Sequence, residues 1–367
     1  MSKSLEKLYR QTVIKYPYLT KDNFYRILFL SHGINHDSWD SFPDPRTRIE
    51  VMLSLKNVSD IPLIVLLKPN SPFRLIDSGK TKTVLYNNEY LDEVTFYKQT
   101  VFNLDRPEPF YFFVREINDD IVLKLNPIQL CDFYKGSSED SPCNFCFRND
   151  AVSRFKNINS QELIGRIIGS ESKNKSGNLK RTDEVSIITG TYNNDKEYLR
   201  EICKLVKGIK KIVPKQARVV VGSHEAKTKN DFRLLKESGV SDYAFPVESF
   251  SDLVRDKNMR NRKGRVLIDK IIRSIGYSVE IFGADHVIVR MIAGLGDLLN
   301  SGFRDKIKYV ASLGPRWNIN IYMPSTHALY KVSEKKPLFS VDYLFEYCSI
   351  INSMVPKEKQ VRFKISP

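Results

Sequence analysis

Six times between residues 121 and 323, a short apolar segment gives way to a longer amphipathic one or a polar loop, and this rhythm admits very few architectures. Ile121–Gln129, Val185–Thr189, Arg218–Gly222, Tyr243–Val247, His286–Ile292 and Trp317–Met323 read as strands, rich in β-branched and aromatic residues and bounded by turn formers. Helical patterns run from Asp195 to about Lys211, from about Lys227 to Glu237 with a stop at Gly239, through Arg265–Ile275, and from Asp297 to about Leu313. Val341–Met354 forms one more. Strands joined through helices of this length imply right-handed crossovers and a parallel sheet. The expected fold class is α/β: a partial (βα)6 TIM-like barrel with a smaller N-terminal α+β domain.

The first third of the chain lacks that rhythm. Ile49–Asn57 and Asp60–Leu67 read as strands, followed by the breaker run Pro69-Asn70-Ser71-Pro72. Thr81–Tyr86 reads as a short strand, and Tyr90–Thr100 fits either strand or helix. A chain of 367 residues accommodates one barrel of roughly 200–250 residues and one smaller unit. The expected division is 1–120 as an N-terminal accessory or substrate domain, 121–330 as the barrel, and 331–367 as a C-terminal helical extension. With 41% hydrophobic residues, 21 Phe and 18 Tyr, the chain can build a true core, which argues against disorder.

The net charge is +15, from 58 Lys and Arg against 43 Asp and Glu. Such a surplus attracts nucleic acid, phosphorylated metabolites or acidic carriers, but here the cations are interspersed with acids and read mainly as solubilising surface. No stretch approaches the ~18 uninterrupted apolar residues of a membrane span. The opening MSKSLEKLYRQ is too polar for a secretory signal, so the expected location is the cytoplasm. Thiols stay reduced there, and five cysteines, an odd number, fit metal binding better than a disulfide framework.

In barrels and open α/β sheets, active sites gather at the carboxyl ends of the strands. The polar and glycine residues of this chain fall there. Cys131 follows the first strand, Gly190-Thr191-Tyr192-Asn193-Asn194 the second, and Ser223-His224-Glu225 the third. Glu248 and Ser249 follow the fourth, Gly294-Leu295-Gly296-Asp297 the fifth, and Pro324-Ser325-Thr326-His327 the sixth. Such a rim could hold a large polar ligand.

The cysteines carry the sharpest chemistry. Eleven residues separate Cys131 from Cys143 and two separate Cys143 from Cys146. A Cys-x-x-Cys turn converges two thiolates on one centre, and the polar intervening loop, with Gly136 and Pro142, can fold the third one back. Three thiolates suit an iron–sulfur cubane with one iron left open. A structural zinc needs a fourth ligand, for which Asp132, Asp140 or a distant His would have to serve. Buried, unligated cysteines are the third alternative. Cys203 and Cys348 lie in helical patterns and read as core.

With the three-cysteine motif after strand one, Phe145 inside the last Cys-x-x-Cys, six βα units and glycine and carboxylate positions at later strand ends, residues 121–330 resemble the radical S-adenosylmethionine (SAM) superfamily. The commonest form of that family has three residues between its first two cysteines; the eleven here resemble its expanded variants. The resemblance implies that Cys131, Cys143 and Cys146 ligate a [4Fe–4S] cluster and that SAM chelates the open iron. Phe145 would then pack near adenine. Thr189, Gly190 and Thr191 would stand where the family offers carbonyls and a polar group to the SAM amine, without the usual Glu. Ser223 and Glu248 match positions that meet the ribose or carboxylate, and Gly294 and Gly296 match a close backbone approach to adenine. Tyr322 would add contacts from strand six. The implied chemistry is reductive cleavage of SAM to a 5′-deoxyadenosyl radical that abstracts hydrogen from substrate. The implied partners are a small-molecule or peptide substrate, an anionic one included, and an electron donor such as flavodoxin or ferredoxin. Neither membrane nor nucleic acid is expected.

The remaining candidates are weighed on their residues alone. His224, Glu225 and His327 are acid–base or substrate-binding candidates, equally readable as ordinary loop residues. His286, at a strand start, reads as structural. The run from Arg255 to Arg265 holds six basic residues and one acid and reads as a solvated helix face rather than a phosphate or nucleic-acid site. Arg290, a charge within strand five, must be paired or point into the cavity, where it could meet a carboxylate of SAM or substrate, and it counts among the cofactor-binding candidates. The rival function is a basic, non-enzymatic nucleic-acid-binding protein with a structural zinc.

Overall fold

The computed structural model describes residues 2–36, 50–57, 59–66, 70–77, 81–96, 99–100, 112–117, 120–125, 143–145, 159–175, 177–190, 194–222, 228–259, 261–322, 340–356 and 362–365. The chain divides into two units: one holds Met1–Lys98 with C-terminal elements, and the other holds Gln99–Trp317.

The first unit begins with helices α1 (Lys3–Lys15) and α2 (Lys21–His32), each started by a hydroxyl cap, Ser2 and Thr20. Helix α2 buries every residue from Asn23 to Leu30. Its one buried cation, Arg26, is held by Asp22 at 2.7 Å. A six-stranded sheet follows, built from β1 (Asn35–His36), β2 (Glu50–Leu55), β3 (Ser59–Leu66), β4 (Phe73–Asp77), β5 (Lys82–Tyr86) and β6 (Glu89–Phe96) in the order β1-β4-β5-β6-β2-β3. All its pairs are antiparallel except β1 with β4. The segment that fits either strand or helix in sequence is therefore strand β6.

The second unit opens with β7 (Gln99–Thr100) and β8 (Phe112–Ile117), which pair antiparallel with each other and onto β9 (Asp120–Leu125). This pairing is why the unit begins at 99 rather than near 120, where the rhythm of the sequence changes. Helices α3 (Ser160–Asn174) and α4 (Asn178–Arg181) precede β10 (Thr182–Ile188), α5 (Asp195–Ile209), β11 (Arg218–Gly222), α6 (Lys229–Ser238) and β12 (Asp242–Glu248). Then come α7 (Asp252–Asn258), α8 (Arg262–Arg265), α9 (Ile268–Phe282), β13 (Val287–Ala293) and α10 (Ser301–Ser312). Strands β9 to β13 pair parallel, each with the next in sequence. The sixth, β14 (Arg316–Ile321), follows β13 in the sheet, and Arg316 and Trp317 still belong to this unit.

Strand order that never reverses is barrel winding; a doubly wound sheet would turn back at a switch point. Among the described residues the two outermost strands of the sheet do not pair with each other, so the barrel is partial. The fold is the α/β partial (βα)6 barrel that the rhythm implies.

Each strand alternates between helices on one side and the barrel interior on the other. Val185, Ile187, Val219, Val221, Tyr243, Phe245, Val287 and Val289 are buried on the helix side. There Phe232 of α6 meets Tyr243 edge-on at 5.2 Å and Phe282 of α9 at 6.4 Å. The stop at Gly239 is a left-handed cap with φ of 107°, which glycine adopts without strain.

The last elements, α11 (Val341–Met354) and β15 (Arg362–Ile365), cluster with the first unit. Phe345 of α11 stacks on Phe24 of α2 at 5.4 Å, and the Asn352 amide donates to the Tyr18 carbonyl at 3.1 Å. The C-terminal helix is thus part of the N-terminal unit's core. Among the described residues no helix is long and apolar enough to cross a membrane.

Candidate functional site

The carboxyl end of β12 shows how the chain positions a polar group. Pro246 has no N–H for the sheet ladder, and the register against β13 shifts between Pro246 and Glu248. This bulge leaves Glu248 with φ of 66°, a left-handed backbone that costs a residue with a Cβ. Its side chain is 7% exposed and accepts a bond from Lys263 Nζ at 2.6 Å. Burial alone would lower the Lys263 ammonium, yet the Glu248 carboxylate and the Cys143 sulfur together raise it.

Lys263 lies in the basic run, and here the structure overturns the solvated-face reading. Arg255 is 1% exposed and Lys263 9% exposed. Arg255 donates through Nη1 to the Val247 carbonyl and through Nη2 to the Lys263 carbonyl at 2.7 Å, clamping β12 to the α7–α8 corner. Burial pushes its guanidinium down, opposed by Glu248, Asp252 and Cys143. The corner closes only because residue 264 is glycine, since a Cβ there would stand 1.9 Å from the Met259 carbonyl oxygen. Arg262 is a rim residue, paired with Asp195 of α5 at 2.9 Å.

Cys143 meets this corner. The Asn144 backbone donates to the Asn258 carbonyl at 2.9 Å, and its side chain donates to the Lys257 carbonyl at 3.1 Å. Asn261, fully buried, donates from Nδ2 to Cys143 Sγ at 3.6 Å while its Oδ1 caps α8 at Lys263 N, 3.0 Å away. Residues 143–145, which follow β9 in sequence, are therefore fastened to the elements that follow β12. Cys143 and Phe145 are both half-buried in this turn. The sulfur lies in the field of two buried cations and accepts an amide hydrogen, surroundings that suit a thiolate, the form that ligates metals.

The neighbouring strand ends are equally built. Ser249 donates to Asp297 Oδ1, and burial pushes the Asp297 carboxyl up to about 7 against the lowering effect of that bond. Gly294 and Gly296 have φ of 102° and 101°, so the loop after β13 needs glycine for its conformation. Asn258 Nδ2 ties this loop to α7 through the Leu295 carbonyl at 3.2 Å. After β10, Thr189 shares a hydrogen bond with Tyr198 Oη at 2.7 Å and donates its N–H to the Gly222 carbonyl at 3.3 Å, with Gly190 beside it. Arg290 rises from β13. Tyr322, 4% exposed, directly follows β14 and clusters with the first unit.

Cys131, Cys146, Thr191, Ser223, His224, Glu225 and His327 lie outside the described residues. Among those described, no group of three or more His, Cys, Asp or Glu converges as a metal site. His286 stands 3.5 Å from Asp242 at the opposite, amino end of the strands, with Arg218 and Arg316, in keeping with a structural role. Cys348 is fully buried, and Cys203 is half-buried against the Leu234 carbonyl. Asn261, Lys263 and Arg255 were not legible as site residues, because a run of alternating basic and polar residues looks solvated; Gly264 between the cations was the available sign of a tight corner.

No protein-family model and no curated protein matches the chain. Among solved structures, the FeFe-hydrogenase maturase HydG from Carboxydothermus hydrogenoformans aligns over 68% of this chain and 54% of its own at 14% identity, with a TM-score of 0.48. Methylornithine synthase (PylB) aligns over 63% and 62% at 12% identity, TM-score 0.42. The cobalamin-dependent S-adenosylmethionine radical enzyme OxsB aligns over 65% and 32% at 14% identity, TM-score 0.38. The chain spans about half the length of the HydG structures, 44% and 54% of them.

Proposed function

We propose that this chain is a radical SAM enzyme that holds a [4Fe–4S] cluster through Cys131, Cys143 and Cys146. The observation that carries the reading is the anchored Cys143 turn. A cysteine from the loop after the first parallel strand is held by an amide donor and near two buried cations at the loops after the fourth strand. A cysteine kept only as core would need neither.

Cluster and SAM, when bound, supply one-electron cleavage of SAM and abstraction of a hydrogen atom from substrate. The chain's own residues bind and orient. Asn261 holds the Cys143 sulfur, Arg255 fixes the corner that carries Asn261, and Lys263 sets the Glu248 carboxylate at the strand end where ribose hydroxyls would be met. Gly294 and Gly296 give a loop whose backbone can approach a flat base closely. Phe145, Thr189, Gly190, Thr191, Ser223 and Tyr322 complete the proposed SAM site, and His224, Glu225 and His327 are the proposed substrate-side groups.

The substrate is a small molecule or peptide, and the reaction a rearrangement, a carbon–carbon bond change or an epimerisation in a biosynthetic pathway. The reductant is a flavodoxin or ferredoxin, the location is cytoplasmic, and residues 1–120 serve as the accessory or substrate domain. Burial of Arg255 and Lys263 removes two charges from the basic run and weakens the nucleic-acid reading.

Anaerobic reconstitution tests this. The expected result is a brown protein with about four irons per chain that cleaves SAM under dithionite, and loss of both properties in Cys143→Ala. Colourless protein retaining tightly bound zinc after the same treatment would overturn it.

A further inference from the structure

Asn258, the last residue of α7, is bonded at once to the cysteine turn and to the glycine loop after β13. A helix leaves its final carbonyls without partners of its own. Here the Asn144 N–H donates to the Asn258 carbonyl at 2.9 Å, and the Asn144 side-chain amide to the Lys257 carbonyl at 3.1 Å. The residue next to Cys143 thus caps the end of α7. The Asn258 side chain makes a second pair of bonds. Its Nδ2 donates back to the Val254 carbonyl at 2.8 Å and outward to the Leu295 carbonyl at 3.2 Å. Asn258 is 2% exposed, so water does not compete for that pair.

Leu295 stands between Gly294 and Gly296, whose φ values are 102° and 101°. No Cβ restricts the backbone on either side of it, so holding this loop in one conformation costs more entropy than usual. The Asn258 amide fixes the carbonyl between those two glycines. One buried side chain therefore ties the setting of the loop to the end of α7, and Asn144 ties that end to the Cys143 turn. A ligand that rests on the loop and orders it lowers the remaining cost of ordering the turn. Coupling of this kind is reciprocal, so an ordered turn favours the ligand equally.

We propose that Asn258 is a positioning residue that couples the Gly294–Gly296 loop to the Cys143 turn. A purine base bound at the loop holds the turn, and with it the Cys143 thiol, in place without any metal. The inference rests on the proposed function for what binds at the loop; the hydrogen bonds that join loop, helix and turn are independent of it. A base close enough to cover the sulfur would protect it too, but that effect would not pass through Asn258. The two routes therefore part when the side chain is removed.

The test uses the full chain without iron and adenosine as the probe, since adenosine carries the base but no group that chelates a metal. Wild-type chain is expected to bind adenosine saturably in calorimetry. Saturating adenosine should slow alkylation of Cys143 by N-ethylmaleimide at least about fivefold, read residue by residue by mass spectrometry. Cys203, half-buried against the Leu234 carbonyl in α5, is the reference whose rate should not change. Asn258→Leu keeps the backbone carbonyl and removes both side-chain bonds. It should bring the ratio of Cys143 rates, without against with adenosine, close to one at saturating adenosine. A merely structural loss would speed both rates alike and leave the ratio as it was. Asn144→Ala removes only the exposed bond to Lys257 and should lower the ratio part of the way, which decides the matter should Asn258→Leu fail to fold. No saturable adenosine binding by wild type, no protection of Cys143, protection that persists in Asn258→Leu, or an unchanged ratio in Asn144→Ala would each overturn the proposal. None of these measurements involves iron or SAM cleavage, so failure here leaves the radical SAM reading to its own test.

Discussion

The Asn261 side-chain amide donates to Cys143 Sγ at 3.6 Å across 118 residues of sequence, joining the loop after the first parallel strand to the corner after the fourth. The same side chain caps α8 with its oxygen, so its two ends do separable work.

Asn261→Asp keeps the capping oxygen and removes the donor to sulfur. Hydrogen bonds to cluster sulfurs stabilise the reduced, more negative state. Losing one worth about 1 kcal/mol lowers a one-electron potential by about 40 mV, and the new carboxylate adds to the shift. We expect thermal stability to fall, because the new carboxylate is fully buried, and, for the proposed cluster, iron content close to wild type with a lower potential in an EPR-monitored redox titration. An unchanged potential would remove Asn261 from the surroundings of the proposed cluster.

Much of the barrel was legible because its strands are short and apolar with helix signals between them. β11 and α11 fall where Arg218–Gly222 and Val341–Met354 place them, and Gly239 ends α6 as expected. Helix α2 was not, because a helix buried from Asn23 to Leu30 shows no polar face for a period to be read from. Helix α3 was missed although Asn159 caps it. At the candidate site, Glu248, Gly294 and Gly296 stand at strand ends as their places in the sequence imply, and Cys143 was singled out by its spacing to Cys146. Which cations of the basic run turn inward depends on contacts between α7, α8 and β12, and no local pattern encodes those.

The Lys263–Glu248 pair is buried on both sides, with side chains 11% and 10% exposed. Removing one partner leaves the other charge stranded, which costs about 3–5 kcal/mol. Lys263→Met should therefore lose that much in urea unfolding, and Lys263→Met with Glu248→Gln should recover part of it. Equal, additive losses in a double-mutant cycle would show that the pair is not coupled.

Two glycines should respond to alanine in opposite directions. At Gly264 the new Cβ would collide with the Met259 carbonyl at 1.9 Å and approach the Arg255 carbonyl at 2.9 Å, both backbone atoms that cannot swing away. Gly264→Ala should open the α7–α8 corner and lower stability, and with it retention of the proposed cluster. Gly276 lies within α9 with nothing within 4 Å of its Cβ position. Gly276→Ala should stabilise by about 0.5–1 kcal/mol through helix propensity. Thermal unfolding of both variants gives the comparison.

Asp297 provides a pH signature. It is 3% exposed, its carboxyl is raised by burial to about 7, and an unfolded Asp titrates near ~3.9. Between those values the folded chain binds more protons than the unfolded one, so stability falls as pH rises. The penalty is absent below about pH 4, grows through the window, and is complete above about pH 7, where it amounts to about 4 kcal/mol. Asp297→Asn keeps an oxygen to accept from Ser249 and carries no charge to ionise. The difference in unfolding free energy, variant minus wild type, should therefore rise by a few kcal/mol between pH 4 and pH 8. A difference that stays flat would mean that Asp297 ionises in the folded chain as readily as in the unfolded one.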